Sequence, residues 1–268
     1  MLYLHIAKSN IHMNPLFSII TVTRNAENTL APTLESVKGQ TCRLFEYIIM
    51  DGVSTDRTLK MALNAGIQEA RIYSSKDKGI YDAMNNAMEC ANGEYLIFLN
   101  SGDTFHAPDT LEKIAKAIMD NDFPGIVYGQ TDIVDSNRQR LAPRHLTAPE
   151  TLTFESFAQG MVVCHQAFVA LRKITQQYDL KYRFSADYDW CIKCLQKSKR
   201  NVLVPDVIID YLSEGVTTAN HKASLIERFR IMSYYYGMLP TLIRHLKFIP
   251  RFFKHNKQLK KAKTYYSK

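Results

Sequence analysis

Three short polar turns carry the side chains of this sequence that are best suited to binding and catalysis. Each turn follows an apolar run, and the three are Thr23-Arg24-Asn25, Asp51-Gly52 and Ser101-Gly102-Asp103. A carboxylate in such a turn can accept hydrogen bonds from a nucleotide base or ribose, and a second carboxylate can hold a divalent cation against a diphosphate. The three turns therefore predict a nucleotide site, provided that the fold brings them together.

The apolar runs before these turns are typical of buried strands. Strands are predicted at Leu16–Thr23, Phe45–Met50, Arg71–Ser74 and Tyr95–Leu99. Helices are predicted between them: one through Leu30, Leu34 and Val37, one over Arg57–Ala65 and one over Ile80–Ala91. This alternation indicates an α/β fold with a mostly parallel sheet flanked by helices. The carboxyl ends of parallel strands meet at one edge, where open sheets bind ligands, so the three turns are expected there.

The second half of the chain has a less regular pattern. A hairpin is predicted over Gly125–Val134, followed by an irregular, proline-containing stretch from Ser136 to Glu150. Loops of that length in a compact domain often serve as lids over a site. A last helix is predicted over Ala223–Tyr236.

Missing motifs and cysteine usage exclude several functions. The chain has no G-x-x-x-x-G-K-[ST] loop and no G-x-G-x-x-G after the first strand, which argues against Walker-type phosphate transfer and dinucleotide redox chemistry. Its five cysteines are scattered, as in a reduced cytosolic protein. Cys191 and Cys194 have redox or metal spacing, but no second pair completes a zinc site, so both are expected in a helix core. With no signal peptide and no membrane-spanning run expected, the protein is predicted to be cytoplasmic.

The net charge of +8 lies entirely in the C-terminal tail. From Arg244 to Lys268 there are nine basic residues and no acidic one, which leaves 25 basic against 26 acidic residues, a net of −1, in 1–243. A neutral body argues against a nucleic-acid-binding fold. Bulky apolar residues alternate with the cations of the tail, a pattern that suits the surface of an anionic membrane. The alternative is a solvated basic terminus, or one packed on a partner.

Four ordered motifs resemble those of family 2 glycosyltransferases. They are Phe17–Asn25, the D-G-x-S-x-D-x-T pattern within Tyr47–Thr58, Asp77–Asn85, and Leu99–Asp103 at the position of the family's D-x-D motif. The resemblance covers roughly residues 16–215. It implies a GT-A fold, a nucleotide-sugar donor, Mg²⁺ or Mn²⁺, and inversion at the anomeric carbon. UDP-sugars are the family's commonest donors, and GDP- and dTDP-sugars remain open.

The resemblance also implies a domain organisation and an acceptor class. Residues 1–15 are then an N-terminal extension, 16–220 a GT-A domain and 221–268 C-terminal helices with the basic amphipathic tail. Within the GT-A domain, 16–103 form the nucleotide-sugar half and 104–220 the acceptor half. The acceptor is a glycan or a lipid-linked sugar, as in the assembly of capsule, exopolysaccharide or lipopolysaccharide.

Donor contacts carry over from the family motifs residue by residue. Val22 and Arg24 contact the base or ribose, and Asp51 accepts hydrogen bonds from the base. Lys78 and Asn85 lie near the diphosphate and sugar. One position departs from the D-x-D pattern, because its first acid is Ser101 in this chain. Ser101 is then left to bind a ribose hydroxyl, and Asp103 alone supplies the carboxylate that holds the metal.

The resemblance places the catalytic base in Phe184–Cys191. The family usually has Glu-Asp before a helix, and this chain has Ala186-Asp187, so Asp187 is the expected base. Asp189, two residues on, is the competitor, although it could instead cap the helix.

Two histidines are open candidates for the site. His165 lies in a Cys164-His165-Gln166 string similar to one in polysaccharide-building members of the family, and it could contact metal or acceptor or be a packed, hydrogen-bonded core residue. His221 follows the closing segment Tyr211–Thr218 and could be a second metal ligand.

Two other functions remain as alternatives. A nucleotidyltransferase also uses an α/β sheet and a metal, but would need a basic, glycine-rich loop after the first strand, and Arg24–Glu27 is not one. A catalytically inactive sugar- or nucleotide-binding protein of the same fold is suggested by the losses at Ser101 and Ala186.

Overall fold

Nine strands form one sheet in the part of the chain that the computed structural model describes, residues 15–213 and 221–246. The strands are β1 Phe17–Thr23, β2 Phe45–Asp51, β3 Ala70–Ser74, β4 Tyr95–Phe98, β5 Thr104–Phe105, β6 Ile126–Val134, β7 Arg140–Pro143, β8 Phe168–Leu171 and β9 Asn201–Leu212. Their order across the sheet is β3-β2-β1-β4-β8-β6-β9-β5, and β7 pairs with β6. Helices α1 Leu30–Lys38, α2 Thr58–Leu63, α3 Ile80–Glu89, α4 Thr110–Asp120, α5 Ala186–Lys197 and α6 His221–Tyr236 flank the sheet.

The first four strands form the parallel half of the sheet that the sequence predicts. β1 pairs in parallel with β2 and with β4, and every residue of these three strands is buried. Burial on both faces explains their unbroken apolar composition. The register sets Thr23 opposite Asp51, and the amide of Leu99 donates to the carbonyl of Ile20. All three polar turns therefore lie at the same edge of the sheet, and the α/β prediction is confirmed.

The predicted hairpin over Gly125–Val134 is wrong, because these residues form the single strand β6 after Gly125. Gly129 marks a close approach and not a turn: a Cβ there would lie 2.8 Å from the Ile208 side chain of β9. The hairpin is instead the β6–β7 pair, closed by the loop in which Asp135 Oδ1 accepts from the amides of Asn137 and Gln139. Part of the predicted irregular stretch is thus the strand β7.

Helix α6 packs on the helix that carries the expected base. Ile231 and Met232 of α6 are buried, and the Glu227 carboxylate accepts from the amides of Arg183 and Phe184 just before α5. The Ser185 hydroxyl, at the N-terminus of α5, lies 3.0 Å from that of Ser224. α6 therefore fixes the start of α5 at the sheet edge.

Two sequence predictions about the core and the C-terminal end have different outcomes. Cys191 and Cys194 are free and buried inside α5, and burial raises the pKa of both thiols, as expected for core cysteines. Residues 238–246 are helical. Residues 214–220, which include the end of the closing segment, and the tail beyond 246 lie outside the described residues, as does the side chain of His221. No helix within 15–213 and 221–246 is long and apolar enough to cross a membrane.

Candidate active site

The start of α1, the helix that follows the first polar turn, is hydrogen-bonded to the third polar turn. The hydroxyls of Thr29 and Ser101 lie 2.9 Å apart. Thr33 Oγ1 donates to the carbonyl of Asp103 at 2.8 Å and accepts from the amide of Gly102 at 2.9 Å. The helix that follows β1 thus fixes the shape of the turn after β4, and Ser101 has a protein partner where the sequence predicts a ribose contact.

Asp51 is a buried carboxylate with its acceptor capacity filled. It is 1% exposed and accepts from the Ser54 amide and hydroxyl, from Ser74 Oγ and from Thr23 Oγ1. Burial opposes its ionisation, but these hydrogen bonds outweigh that effect and lower its pKa. The charge is held inside the turn, so the contact with a nucleotide base remains a prediction.

A second carboxylate, which the sequence reasoning missed, lies over the same turn. A Cβ at Gly52 would lie 2.5 Å from Asp77 Oδ2 and 3.5 Å from the Arg24 side chain, so the glycine leaves room for both. Arg24 and Lys78 are exposed at this edge, whereas Val22 is buried in β1. The signal was present in the sequence, because Asp77 opens the family-like segment Asp77–Asn85.

Asp103 is held by two donors in a buried position. It is 4% exposed, and its Oδ2 and Oδ1 accept from Gln166 Nε2 at 2.6 Å and from the Leu212 amide at 2.9 Å. Burial raises the pKa of Asp103 to about 7, and the two hydrogen bonds only partly offset that rise. Gln166, not His165, is therefore the residue of the Cys-His-Gln string that reaches the D-x-D turn.

A guanidinium also lies against this turn. Arg138, in the β6–β7 loop, donates to the carbonyl of Gly102 at 2.7 Å and to the Thr104 hydroxyl. Its positive charge is among the influences that lower the pKa of Asp103 against the larger effect of burial. Arg138 follows a strand predicted as a hairpin, and no motif in the sequence indicates this contact.

His165 is a packed core histidine, one of the two alternatives open from the sequence. Its Nε2 lies 2.8 Å from the Tyr178 hydroxyl, and its ring stacks on Phe98 with centroids 5.0 Å apart. Burial lowers the pKa of His165 to about 4, so the ring is neutral at pH 7. His165 therefore packs in the core, whereas its neighbour Gln166 hydrogen-bonds to Asp103 at the D-x-D turn.

Asn85 also has a structural use. Its Nδ2 donates to the Tyr178 carbonyl at 3.0 Å, and its Oδ1 accepts from the Tyr178 amide at 2.7 Å. Both amide atoms thus hold Tyr178 against α3, and the predicted contact with the diphosphate or sugar stays a prediction.

Asp187 and Asp189 lie in very different surroundings on α5. Asp187 is partly exposed, and its Oδ1 accepts from the Tyr188 amide at 2.9 Å and the Tyr81 hydroxyl at 3.2 Å. Within the described residues no hydrogen bond reaches its Oδ2. Asp189 is 2% exposed, with Oδ2 2.6 Å from Lys193 Nζ and Oδ1 accepting from the Tyr235 hydroxyl at 2.8 Å. Of these two carboxylates, Asp187 is the more exposed, and it has an oxygen with neither a hydrogen bond nor an ion pair among the described residues.

The oxygen donors of the D-x-D turn fit a divalent cation. Besides the Asp103 carboxylate, the turn contains Asn100, whose Oδ1 is buried without a hydrogen-bond partner among the described residues. A buried oxygen that lacks a donor is costly unless a ligand satisfies it, and hard cations prefer carboxylate and amide oxygens. Asn100 and Asp103 together would hold Mg²⁺ or Mn²⁺.

A second group of potential metal ligands lies beside the turn. Ligand atoms of His106, Asp132 and Asp210 lie within 4.8 Å of one another. His106 Nδ1 is 2.7 Å from Asp210 Oδ1, and Arg140 binds both oxygens of Asp132. Arg140 thus neutralises Asp132, whereas Asp210 pairs with His106, another member of the same group. The D-x-D turn and this group are therefore two candidate cation sites among the described residues.

Comparisons with known proteins find several related sequences. The sequence profile described as Glycosyl transferase family 2 matches residues 18–178. A PGL/p-HBAD biosynthesis glycosyltransferase of Mycobacterium bovis is 32% identical over 218 residues, 79% of this chain and 79% of that protein. An uncharacterized glycosyltransferase of Mycobacterium tuberculosis is 27% identical over 227 residues, 81% of this chain and 83% of that protein.

A solved structure shares the fold. The crystal structure of S. aureus TarS 1–349 in complex with UDP-GlcNAc superposes with a TM-score of 0.67 at 20% identity. The match covers 87% of this chain and 73% of that one. The likeness confirms the GT-A fold expected from the sequence motifs.

Proposed function

The chain belongs to glycosyl transferase family 2 and is a glycosyltransferase, and from this premise we propose that it is a metal-dependent, inverting enzyme of bacterial surface polysaccharide synthesis. The donor is a nucleotide-diphosphate sugar, with a UDP-sugar favoured by the fold's likeness to a UDP-GlcNAc complex. The acceptor is a hydroxyl of a glycan or a lipid-linked sugar. Family membership leaves the nucleotidyltransferase alternative without support.

The observation that supports the mechanism is that no hydrogen bond reaches Oδ2 of Asp187 within the described residues. Oδ2 of Asp187 takes the proton of the acceptor hydroxyl while that oxygen attacks the anomeric carbon of the donor sugar. The bond from that carbon to the diphosphate breaks, the nucleotide diphosphate leaves with the bonding electrons, and the configuration inverts. A single displacement needs no sugar–enzyme intermediate, so one carboxylate is sufficient for the base role.

Residues at the D-x-D turn would stabilise the leaving nucleotide diphosphate. Asn100 and Asp103 would hold the divalent cation, which would supply charge to stabilise the departing diphosphate. Arg138 adds a fixed positive charge at the same turn. Ser101, Asp51, Arg24, Val22, Lys78 and Asn85 remain the proposed donor contacts, and Asp77 joins them because its carboxylate lies over Gly52.

The composition of the C-terminal residues supports the proposal that the enzyme acts at a membrane surface. The helical residues 238–246 expose Met238, Leu239, Leu242, Ile243 and Leu246. The sequence beyond them contains eight further basic residues and no acidic one. An apolar face followed by cations suits peripheral contact with an anionic membrane, here the inner face of the cytoplasmic membrane.

Incubation with Mn²⁺ and a panel of UDP-, GDP- and dTDP-sugars tests the function. We expect slow release of free nucleotide diphosphate from one donor class, faster when a lipid-linked acceptor is added, and none after chelation with EDTA. A protein that binds a nucleotide diphosphate, as shown by a thermal shift, but never turns a donor over would be an inactive binder. No turnover and no thermal shift with any donor would overturn the proposal.

A further inference from the structure

The hydroxyl of Tyr81 connects α3 to the carboxylate of Asp187, 106 residues further along the chain. The two oxygens lie 3.2 Å apart, and Tyr81 is 9% exposed. Burial raises the pKa of the Tyr81 phenol well above its ordinary value, so the hydroxyl keeps its proton and donates it in the hydrogen bond. The Tyr188 amide is the second donor to the same oxygen, Oδ1.

Aromatic packing fixes the Tyr81 ring. The ring stacks on Tyr178 with centroids 5.5 Å apart and planes 27° from parallel. Tyr178 in turn stacks on Trp190 at 5.3 Å and 16°, and its hydroxyl bonds to His165. Every ring in this group is buried, so the Tyr81 hydroxyl has little freedom to leave Asp187.

We propose that Tyr81 is a positioning residue for the transfer reaction: it holds Oδ1 of Asp187 so that Oδ2 faces the acceptor hydroxyl. This inference rests on the proposed function, in which Asp187 is the base. Without the Tyr81 hydroxyl, the adjacent Tyr188 amide is the one remaining hydrogen-bond donor to the carboxylate among the described residues, so the carboxylate can rotate about its Cβ–Cγ bond. Proton transfer depends on this orientation, whereas binding of the donor does not.

The test is Tyr81→Phe, which removes one oxygen and keeps the stacked ring. We expect kcat to fall roughly 10- to 100-fold, the range for a misplaced catalytic group. The KM for the nucleotide sugar should stay within about twofold, because the hydroxyl acts on the reacting step. A fall in kcat with an unchanged donor KM is not expected from general loosening of the fold.

Tyr95→Phe is the matched control. Tyr95 is also a buried tyrosine, and its hydroxyl donates to the Pro124 carbonyl at 2.7 Å, at the start of β4 and away from the site. This variant should lose comparable thermal stability and keep the wild-type kcat. An equal fall in kcat in both variants would mean that Tyr81 acts only through stability, and would overturn the proposal.

A double-mutant cycle separates this inference from the proposed function. In an Asp187→Asn background, Tyr81→Phe should cause no further loss, because the positioned group is already gone. A fully additive loss, or a wild-type kcat for Tyr81→Phe alone, overturns the role of Tyr81 while leaving Asp187 as base. If Asp187→Asn itself retains transfer, the proposed mechanism fails first.

Discussion

Nε2 of Gln166 donates a 2.6 Å hydrogen bond to Oδ2 of Asp103, and both side chains are buried. The bond fixes the orientation of the carboxylate at the D-x-D turn. In the proposed metal site Gln166 thus orients the metal ligand, and loss of such a partner typically lowers metal affinity by roughly 10- to 100-fold.

Replacing Gln166 should therefore weaken the binding of the metal to the enzyme. We expect Gln166→Leu to raise the Mn²⁺ concentration for half-maximal activity by roughly 10- to 100-fold. Gln40→Leu is the control, because Gln40 is equally buried but bonds to the backbone of Ser36, Ala107 and Leu111. An unchanged Mn²⁺ titration for Gln166→Leu would show that Asp103 is not the metal ligand.

Substitutions of the two carboxylates at the start of α5 should have clearly different effects. Asp187→Asn should lower kcat by about 100-fold or more, the usual contribution of a general base, and leave donor binding unchanged. Asp189→Asn breaks an ion pair to Lys193 on a different side of the helix and should mainly lower the melting temperature. Kinetics and calorimetric titration with UDP measure both effects; a larger kcat loss for Asp189→Asn would reverse the assignment of the base.

Asp103 should make the metal-free protein less stable as the pH rises. Its pKa is raised to about 7, so between about pH 4 and 7 the unfolded state has lost a proton that the folded state keeps. The free energy of unfolding should decrease across that window by at most roughly 4 kcal/mol, at about 1.4 kcal/mol per pKa unit.

Urea unfolding at pH 5 and pH 8 in EDTA measures this change, with Asp103→Asn as the reference. Relative to Asp103→Asn, the wild type should have a lower free energy of unfolding at pH 8 than at pH 5. Mn²⁺ should restore the wild type but not the variant. Parallel pH profiles for the two proteins would contradict the raised pKa.

The apolar residues of 238–246 should determine membrane binding. Leu239 and Leu242 are 68% and 46% exposed, so a Leu239→Glu, Leu242→Glu double variant should fold normally. We expect it, and a truncation after Gly237, to lose co-sedimentation with anionic vesicles. Leu63→Glu, at a 65% exposed leucine of α2, should bind as the wild type does. Vesicle binding by the truncated protein would refute the role of this segment.

The sequence predicted the parallel half of the fold well because its signals are local. Unbroken apolar strands and polar turns occur within a few residues, and the predicted strands differ from β1 to β4 by one residue at most at each end. The hairpin prediction failed at Gly129, where a glycine serves the approach of β9, a partner about 80 residues away. No periodicity in the sequence carries that information.

For the candidate site, too, the sequence carried local signals and lacked long-range ones. Family motifs indicated Asp103 and Asp187, but not the side chains that hydrogen-bond to these residues or to their turns. Tyr81, Gln166 and Arg138 reach their partners across 106, 63 and 36 residues. Only the folded sheet brings such residues together, so their hydrogen bonds were beyond prediction from one sequence.

His165 and Gln166 are consecutive residues of one short 3-10 turn, and each connects to a different proposed catalytic group. His165 connects through Tyr178 and Tyr81 to Asp187, the proposed base, and Gln166 bonds to Asp103, the proposed metal ligand at the diphosphate. One peptide bond therefore links the supports of both groups. A shift of this turn would move Asp187 and Asp103 together, so the covalent backbone helps to set the distance between the proposed base and the proposed metal ligand.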